Sequence, residues 1–145
     1  DPPRILTALV DDFDGSREQL ASRRLNPEQL ALAKKRLLLA AVLQFTLPGS
    51  PSIYYGDEAG MEGAKDPFNR RTYPWGAEDQ DLLAHFRKHF RMLGQLRKAS
   101  KALRLGDTEF FLAAEGEIGF ARTYEGKTVK IYVNQKDDTY TITEA

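Results

Sequence analysis

Between Gly56 and Asp79 the sequence sets Asp57, Glu58, Glu62, Asp66, Arg70 and Arg71 among Tyr73 and Trp75. These residue types suit a neutral, polyhydroxylated ligand. Aromatic rings offer flat apolar faces on which a sugar ring can lie, while carboxylates and guanidinium forks hydrogen-bond hydroxyl groups. The same composition also describes a solvated loop with a few ion pairs, because charged side chains are mostly exposed. Length makes the loop either functional or disordered, and its content favours function. The segment shows neither helical nor strand periodicity, whereas connections in compact domains usually take about four to six residues. Asp66 and Arg70, four positions apart, can converge on one sugar or on each other.

Other patterns that suggest chemistry are weaker. His85 and His89 have the i,i+4 spacing of a helical metal chelate, yet the Glu of a zinc hydrolase is missing between them and no third ligand is evident. A surface or packing role is expected, and no metal site. Asp12-Phe13-Asp14-Gly15 partly matches a calcium loop, but Val10 and Ala21 stand where its first and last carboxylates belong, so it reads as a turn. Gly56, Gly60 and Gly63 lack dinucleotide-fingerprint spacing, and the acidic residues among them would repel phosphate. With no cysteine there is no thiolate ligand, sulfur nucleophile or disulfide frame. No cofactor is expected.

The elements that must hold the loop come next. Asn26 can cap a helix, Pro27 suits its first position and Gln29 can complete a capping box. Leu30, Ala33, Leu37, Leu38, Ala41, Val42 and Phe45 then leave so little polar surface that neighbours must cover this helix on most sides, until Pro48-Gly49 ends it. Ser52-Ile53-Tyr54-Tyr55, bracketed by Pro51 and Gly56, reads as a buried strand. Leu82, Phe86, Phe90, Leu93 and Arg97 mark an amphipathic helix over residues 80–98. Beyond Gly106-Asp107 the period becomes two. Turn signals at Glu115-Gly116, Glu125-Gly126 and Asp137-Asp138 divide the rest into a small antiparallel sheet. A boundary therefore falls near residues 100–107.

Composition narrows the partners. The 145 residues carry 21 Lys and Arg against 21 Asp and Glu, so no basic field draws the chain to nucleic acid or to an acidic membrane. The most apolar run, residues 37–47, is about half the length of a membrane span. A hydrophobic fraction of 41% excludes a disordered chain. Asp1-Pro2-Pro3-Arg4, with no initiator methionine, reads as a piece of something longer.

The run Pro48-Gly49-Ser50-Pro51-Ser52-Ile53-Tyr54-Tyr55-Gly56-Asp57-Glu58-Ala59-Gly60-Met61, followed by Asp66-Pro67-Phe68-Asn69-Arg70-Arg71 and Trp75, resembles the last barrel strand and its loop in the α-amylase family of glycoside hydrolases, most of all the neopullulanase and cyclomaltodextrinase branch. Leu96-Arg97-Lys98 and residues 102–107 resemble that family's passage from its final barrel helix into a C-terminal β-domain. The resemblance implies an α/β fold: the C-terminal part of a (β/α)8 TIM barrel over residues 1–100, a linker at 101–107 and a C-terminal antiparallel β domain over 108–145.

The resemblance also implies a parent enzyme that cleaves or transfers α-glucosidic bonds of maltodextrin-like substrates with retention, using two carboxyl groups about 5 to 5.5 Å apart. In the family both lie on earlier strands, so this fragment alone should be inactive. Asp1-Pro2-Pro3-Arg4-Ile5-Leu6 aligns with the end of the family's His-Asp-Thr motif, although the His is absent and Pro2 replaces the Thr. Asp1 is thereby the implied transition-state-stabilising carboxylate. Asp66 and Arg70 match the Asp-Pro-x-x-Arg element that contacts glucose units on the non-reducing side of the scissile bond. Implied partners are an α-glucan oligosaccharide and either the remainder of the barrel or a second copy; the implied location is cytoplasmic. A calcium ion is compatible with the parent, and no residue here is assigned to it. The rival readings are a glucan-binding module and a purely structural or oligomerising piece.

Overall fold

The computed structural model describes residues 2–11, 14–76 and 80–145. The helices are α1 (Ile5–Ala8), α2 (Arg17–Ser22), α3 (Pro27–Thr46), α4 (Gln80–Ala99) and α5 (Lys101–Leu105), followed by the strands β1 (Asp107–Ala114), β2 (Glu117–Tyr124), β3 (Lys127–Asn134) and β4 (Thr139–Glu144). The expected α3 start is present. The Gln29 amide donates to Asn26 Oδ1 at 2.8 Å, and the Asn26 amide donates to Gln29 Oε1 at 3.1 Å. The same logic opens α2, where Ser16 and Gln19 form a capping box that the sequence reading passed over.

Two compact units emerge, Asp1–Leu38 with Ile53–Lys88, and Leu39–Ser52 with His89–Ala145. They cut across the division expected at 101–107. The later halves of α3 and α4 share one apolar cluster with α5 and the sheet: Val42, Phe45, Phe90, Leu93, Leu103, Phe120 and Ile131 are all buried in it. The connection at 101–107 is itself largely helical, capped where the Leu103 amide donates to Ser100 Oγ at 3.2 Å.

In the second unit the sheet runs β1-β2-β3-β4, each strand antiparallel to the next. Register places Ile118, Phe120 and Arg122 opposite Val133, Ile131 and Val129. Period two puts all six on the face that joins the core. Glu125 and Gly126 both take positive φ, 49° and 77°, as a tight two-residue hairpin turn requires. Two buried arginines finish α3. Arg97 Nη1 donates to the Phe45 and Leu47 carbonyls at 2.8 and 3.2 Å, and its Nη2 donates to the Gly49 carbonyl. Arg122 Nη1 donates to the Thr46 carbonyl at 2.7 Å and Nη2 to that of Gly106 at 2.9 Å. The last turn of a helix leaves its carbonyls without intrahelical donors, and these guanidinium groups supply them.

In the first unit Leu6, Leu25, Ala33, Leu37, Ala64 and Phe86 form a separate cluster. The strand expected at Ser52-Tyr55 is not formed. Residues 51–54 have no ladder partner, and Ile53, Tyr54 and Tyr55 are 41%, 46% and 41% exposed. A buried parallel strand needs neighbours on both sides, and no strand belongs to this unit among the described residues. Among the described residues, no helix is long and apolar enough to cross a membrane.

Candidate functional site

The long loop is built on backbone geometry before it carries side-chain chemistry. Gly56 has φ of 91°, a left-handed conformation that strains any other residue, and a Cβ there would lie 2.2 Å from Met61 Sδ, so the Met61 side chain would also have to shift. A single 3-10 turn, Asp57–Ala59, follows, and Glu58 Oε2 accepts from the Gly56 amide at 2.9 Å. Glu62 is also spent on structure, accepting from the Leu25 amide at 3.2 Å and lying 3.4 Å from Arg24 Nε.

Arg4 is the centre of this unit. Its amide donates to the Gly63 carbonyl at 2.9 Å, and the Gly63 amide donates to Thr7 Oγ1 at 2.9 Å. Arg4 Nη1 donates to the Tyr55 carbonyl at 2.7 Å and reaches Asp57 Oδ1 at 3.3 Å. Its side chain is fully buried, and Nε and Nη2 have no hydrogen-bond acceptor. The guanidinium carbon lies 4.8 Å from the Tyr54 ring centroid and 4.7 Å from that of Tyr55. The rings supply the negative faces that oxygen acceptors do not.

Asp57 is affected in turn. Burial is the largest influence and pushes its carboxyl up to about 6; Arg4 opposes this and Glu58 adds to it. Desolvation wins because the shortest Arg4 bond goes to a carbonyl rather than to the carboxylate.

Arg4, Tyr54, Asp57, Asn69 and Arg70 line an open cavity of about 580 Å³. Asn69 Nδ2 donates to the Pro2 carbonyl at 2.9 Å, tying the start of the described chain to the loop, and buried Asn69 Oδ1 has no partner. Asp66 and Arg70 form an ion pair, Nε to Oδ1 at 2.6 Å, with both side chains still substantially exposed. Arg71 Nε donates to the Phe68 carbonyl at 3.2 Å, and the Tyr55 hydroxyl donates to the Arg71 carbonyl at 2.8 Å. Desolvation, followed by the charge of Arg24, lowers the Arg71 pKa.

Of the residues singled out from sequence, Asp66 and Arg70 meet each other beside the cavity, and Asp1 lies outside the described residues. His85 packs edge-on to Phe86 and His89 to Tyr140. Among the described residues no group of three metal-ligating side chains comes together. Asp14 is paired with Lys65 at 3.1 Å, while Asp12 and Phe13 lie outside the described residues. Sequence reasoning missed Arg4 and Asn69 as the pins of the cavity. Its one available signal was a lone arginine directly preceding the apolar Ile5-Leu6.

No protein-family model matches the sequence. The chain is 43% identical over 117 residues to an amylopullulanase of Thermoanaerobacter thermohydrosulfuricus, a match covering 73% of this chain and 8% of that protein. It is 39% identical over 107 residues to a cyclomaltodextrinase of Geobacillus thermopakistaniensis, covering 72% of this chain and 18% of the relative. The solved cyclic α-maltosyl-(1→6)-maltose hydrolase of Arthrobacter globiformis superposes with a TM-score of 0.69 at 24% identity, over 92% of this chain and 25% of that one. The chain belongs to the α-amylase family of glycoside hydrolases, of whose members it spans only a small part. Its four-stranded sheet matches the C-terminal β domain of that family.

Proposed function

We propose that this chain is the C-terminal part of an enzyme that hydrolyses, or transfers across, α-glucosidic bonds of maltodextrin-like substrates. In this reading residues 1–100 close the catalytic barrel, 101–107 connect, and 108–145 form the terminal sheet. The observation that carries it is the cavity where Arg4, Asp57 and Asn69 meet the exposed Asp66–Arg70 pair, on a chain similar to proteins named amylopullulanase and cyclomaltodextrinase. The exposed carboxylate and guanidinium suit sugar hydroxyls, and Asp1 would contribute the carboxylate whose hydrogen bonds strengthen as the ring distorts. The nucleophile and the general acid belong to other segments of the parent. A cytoplasmic location, and association with the remaining barrel, are parts of the same proposal.

Fragment complementation tests it. The chain alone should release reducing sugar from pullulan or maltotriose at blank level. Mixed with a cyclomaltodextrinase lacking its matching segment, it should restore cleavage. Asp66→Asn and Arg70→Ala should each lower the restored kcat/KM about tenfold to a hundredfold, the equivalent of about 1.4 to 2.8 kcal/mol of transition-state binding. Turnover by the chain alone, or a restored rate indifferent to both substitutions, would overturn the assignment.

A further inference from the structure

Trp75 is the only tryptophan in the chain, and it is 81% exposed. Leaving so large an apolar surface in water forgoes roughly 2 kcal/mol or more of burial. The ring is nevertheless held. Its centroid is 4.7 Å from that of Tyr73 at an interplanar angle of 48°, and the Trp75 amide donates to the Tyr73 carbonyl at 2.9 Å. Tyr73 is fixed in turn, since Arg87 donates to its hydroxyl from Nη2 at 2.7 Å and Nε at 3.3 Å, with the guanidinium carbon 5.6 Å from the ring centroid.

We infer that Trp75, backed by Tyr73 and Arg87, is a stacking platform for a neutral pyranose ring, separate from the Arg4–Asp57 cavity. The inference rests on the α-glucan reading above and adds a contact to it. A ring already immobilised loses little rotamer entropy on binding, and its open surface matches the apolar C–H face of a sugar. The ligand class follows from the ring face, which is apolar and suits C–H groups rather than phosphate, and from a chain whose 21 basic and 21 acidic residues give no net field for an anion. Five residues of fully extended chain span at most about 18 Å, so one short oligosaccharide can reach both Arg70 and Trp75.

Because the indole is unique, fluorescence excited selectively at tryptophan reads this site alone. Maltoheptaose should give a saturable blue shift and protect Trp75 from acrylamide, while sorbitol and poly-uridylate give neither. By calorimetry Trp75→Ala should weaken maltoheptaose binding about tenfold, with Trp75→Phe recovering part of the loss. Arg87→Ala should weaken it about threefold and reduce the near-ultraviolet circular dichroism of the aromatic pair. Arg87 is thus a positioning residue. An emission spectrum indifferent to maltoheptaose, an equal response to sorbitol, or a response to poly-uridylate instead would each overturn the inference. Restored cleavage in the complementation mixture with an unresponsive Trp75 would sink the platform and leave the enzyme reading standing. A responsive Trp75 without restored cleavage would do the reverse.

Discussion

The two units bury arginine for different ends. In the second, Arg97 and Arg122 donate to carbonyls at the end of α3, and among the described residues no carboxylate is shown in an ion pair with either of them. In the first, Arg4 faces one carbonyl, one carboxylate and two tyrosine rings at the wall of a cavity, with two donors lacking oxygen acceptors. The former arrangement completes a helix. The latter holds a loop in place and leaves its electrostatics tunable, because Asp57 can change charge where a carbonyl cannot. A buried guanidinium is therefore weak evidence for a functional site until its partners are known. A titratable partner beside an open cavity is what distinguishes Arg4.

The largest effect should come from the helix-capping arginine. Arg122→Met keeps an unbranched apolar stem but strips donors from the buried Thr46 carbonyl and from Gly106. Two carbonyls left without donors should cost about 2 to 4 kcal/mol. Urea denaturation followed by the sheet signal should show the loss, and its size should be the same at pH 4.5 and pH 7. A pH-dependent cost would break the contrast between the units.

The Asp57 carboxyl should give a smaller effect of characteristic sign. Its pKa rises from 3.8 to about 6 on folding. Between those values the native chain holds a proton that the unfolded chain has lost, so this group makes stability fall as pH increases through about 4 to 6, with no further change above. Discounting for solvent screening, the swing is about 1 to 2 kcal/mol. Asp57→Asn removes it. The difference between wild type and variant, measured as urea midpoints at pH 4 and pH 7, should favour the wild type more at the lower pH. The opposite slope would mean that Arg4, not desolvation, dominates at Asp57.

What could be read from sequence divides along the same line. The capping box at Asn26, the stripe from Phe86 to Leu93, and the turns at Glu115-Gly116 and Glu125-Gly126 act through neighbours in sequence, and period and propensity display such neighbours directly. Arg97, on the apolar stripe of α4, was a visible hint that a charge would be buried. Arg4 gave almost none, because its partners Tyr55 and Asp57 lie more than fifty positions away. Ser52-Tyr55 failed for a related reason. Its β-formers state a preference that only a neighbouring strand can realise, and none is supplied within its unit among the described residues. The candidate site was thus legible as a loop of suitable chemistry, but the cavity that organises it was not.

The smallest stability effect should come from the pair with the largest proposed role in binding. Asp66 and Arg70 are joined at 2.6 Å, yet their side chains remain 38% and 60% exposed. Exposed pairs of this spacing contribute about 0.2 to 1 kcal/mol, because water screens the attraction and two side chains lose freedom. A double-mutant cycle of Asp66→Ala and Arg70→Ala, read by thermal or urea unfolding, should therefore give a coupling below about 1 kcal/mol that shrinks further in 1 M salt. The same variants should cost more in maltoheptaose affinity than in stability. Coupling of several kcal/mol would instead place this pair with Arg97 and Arg122, as structure rather than as a hand for the ligand.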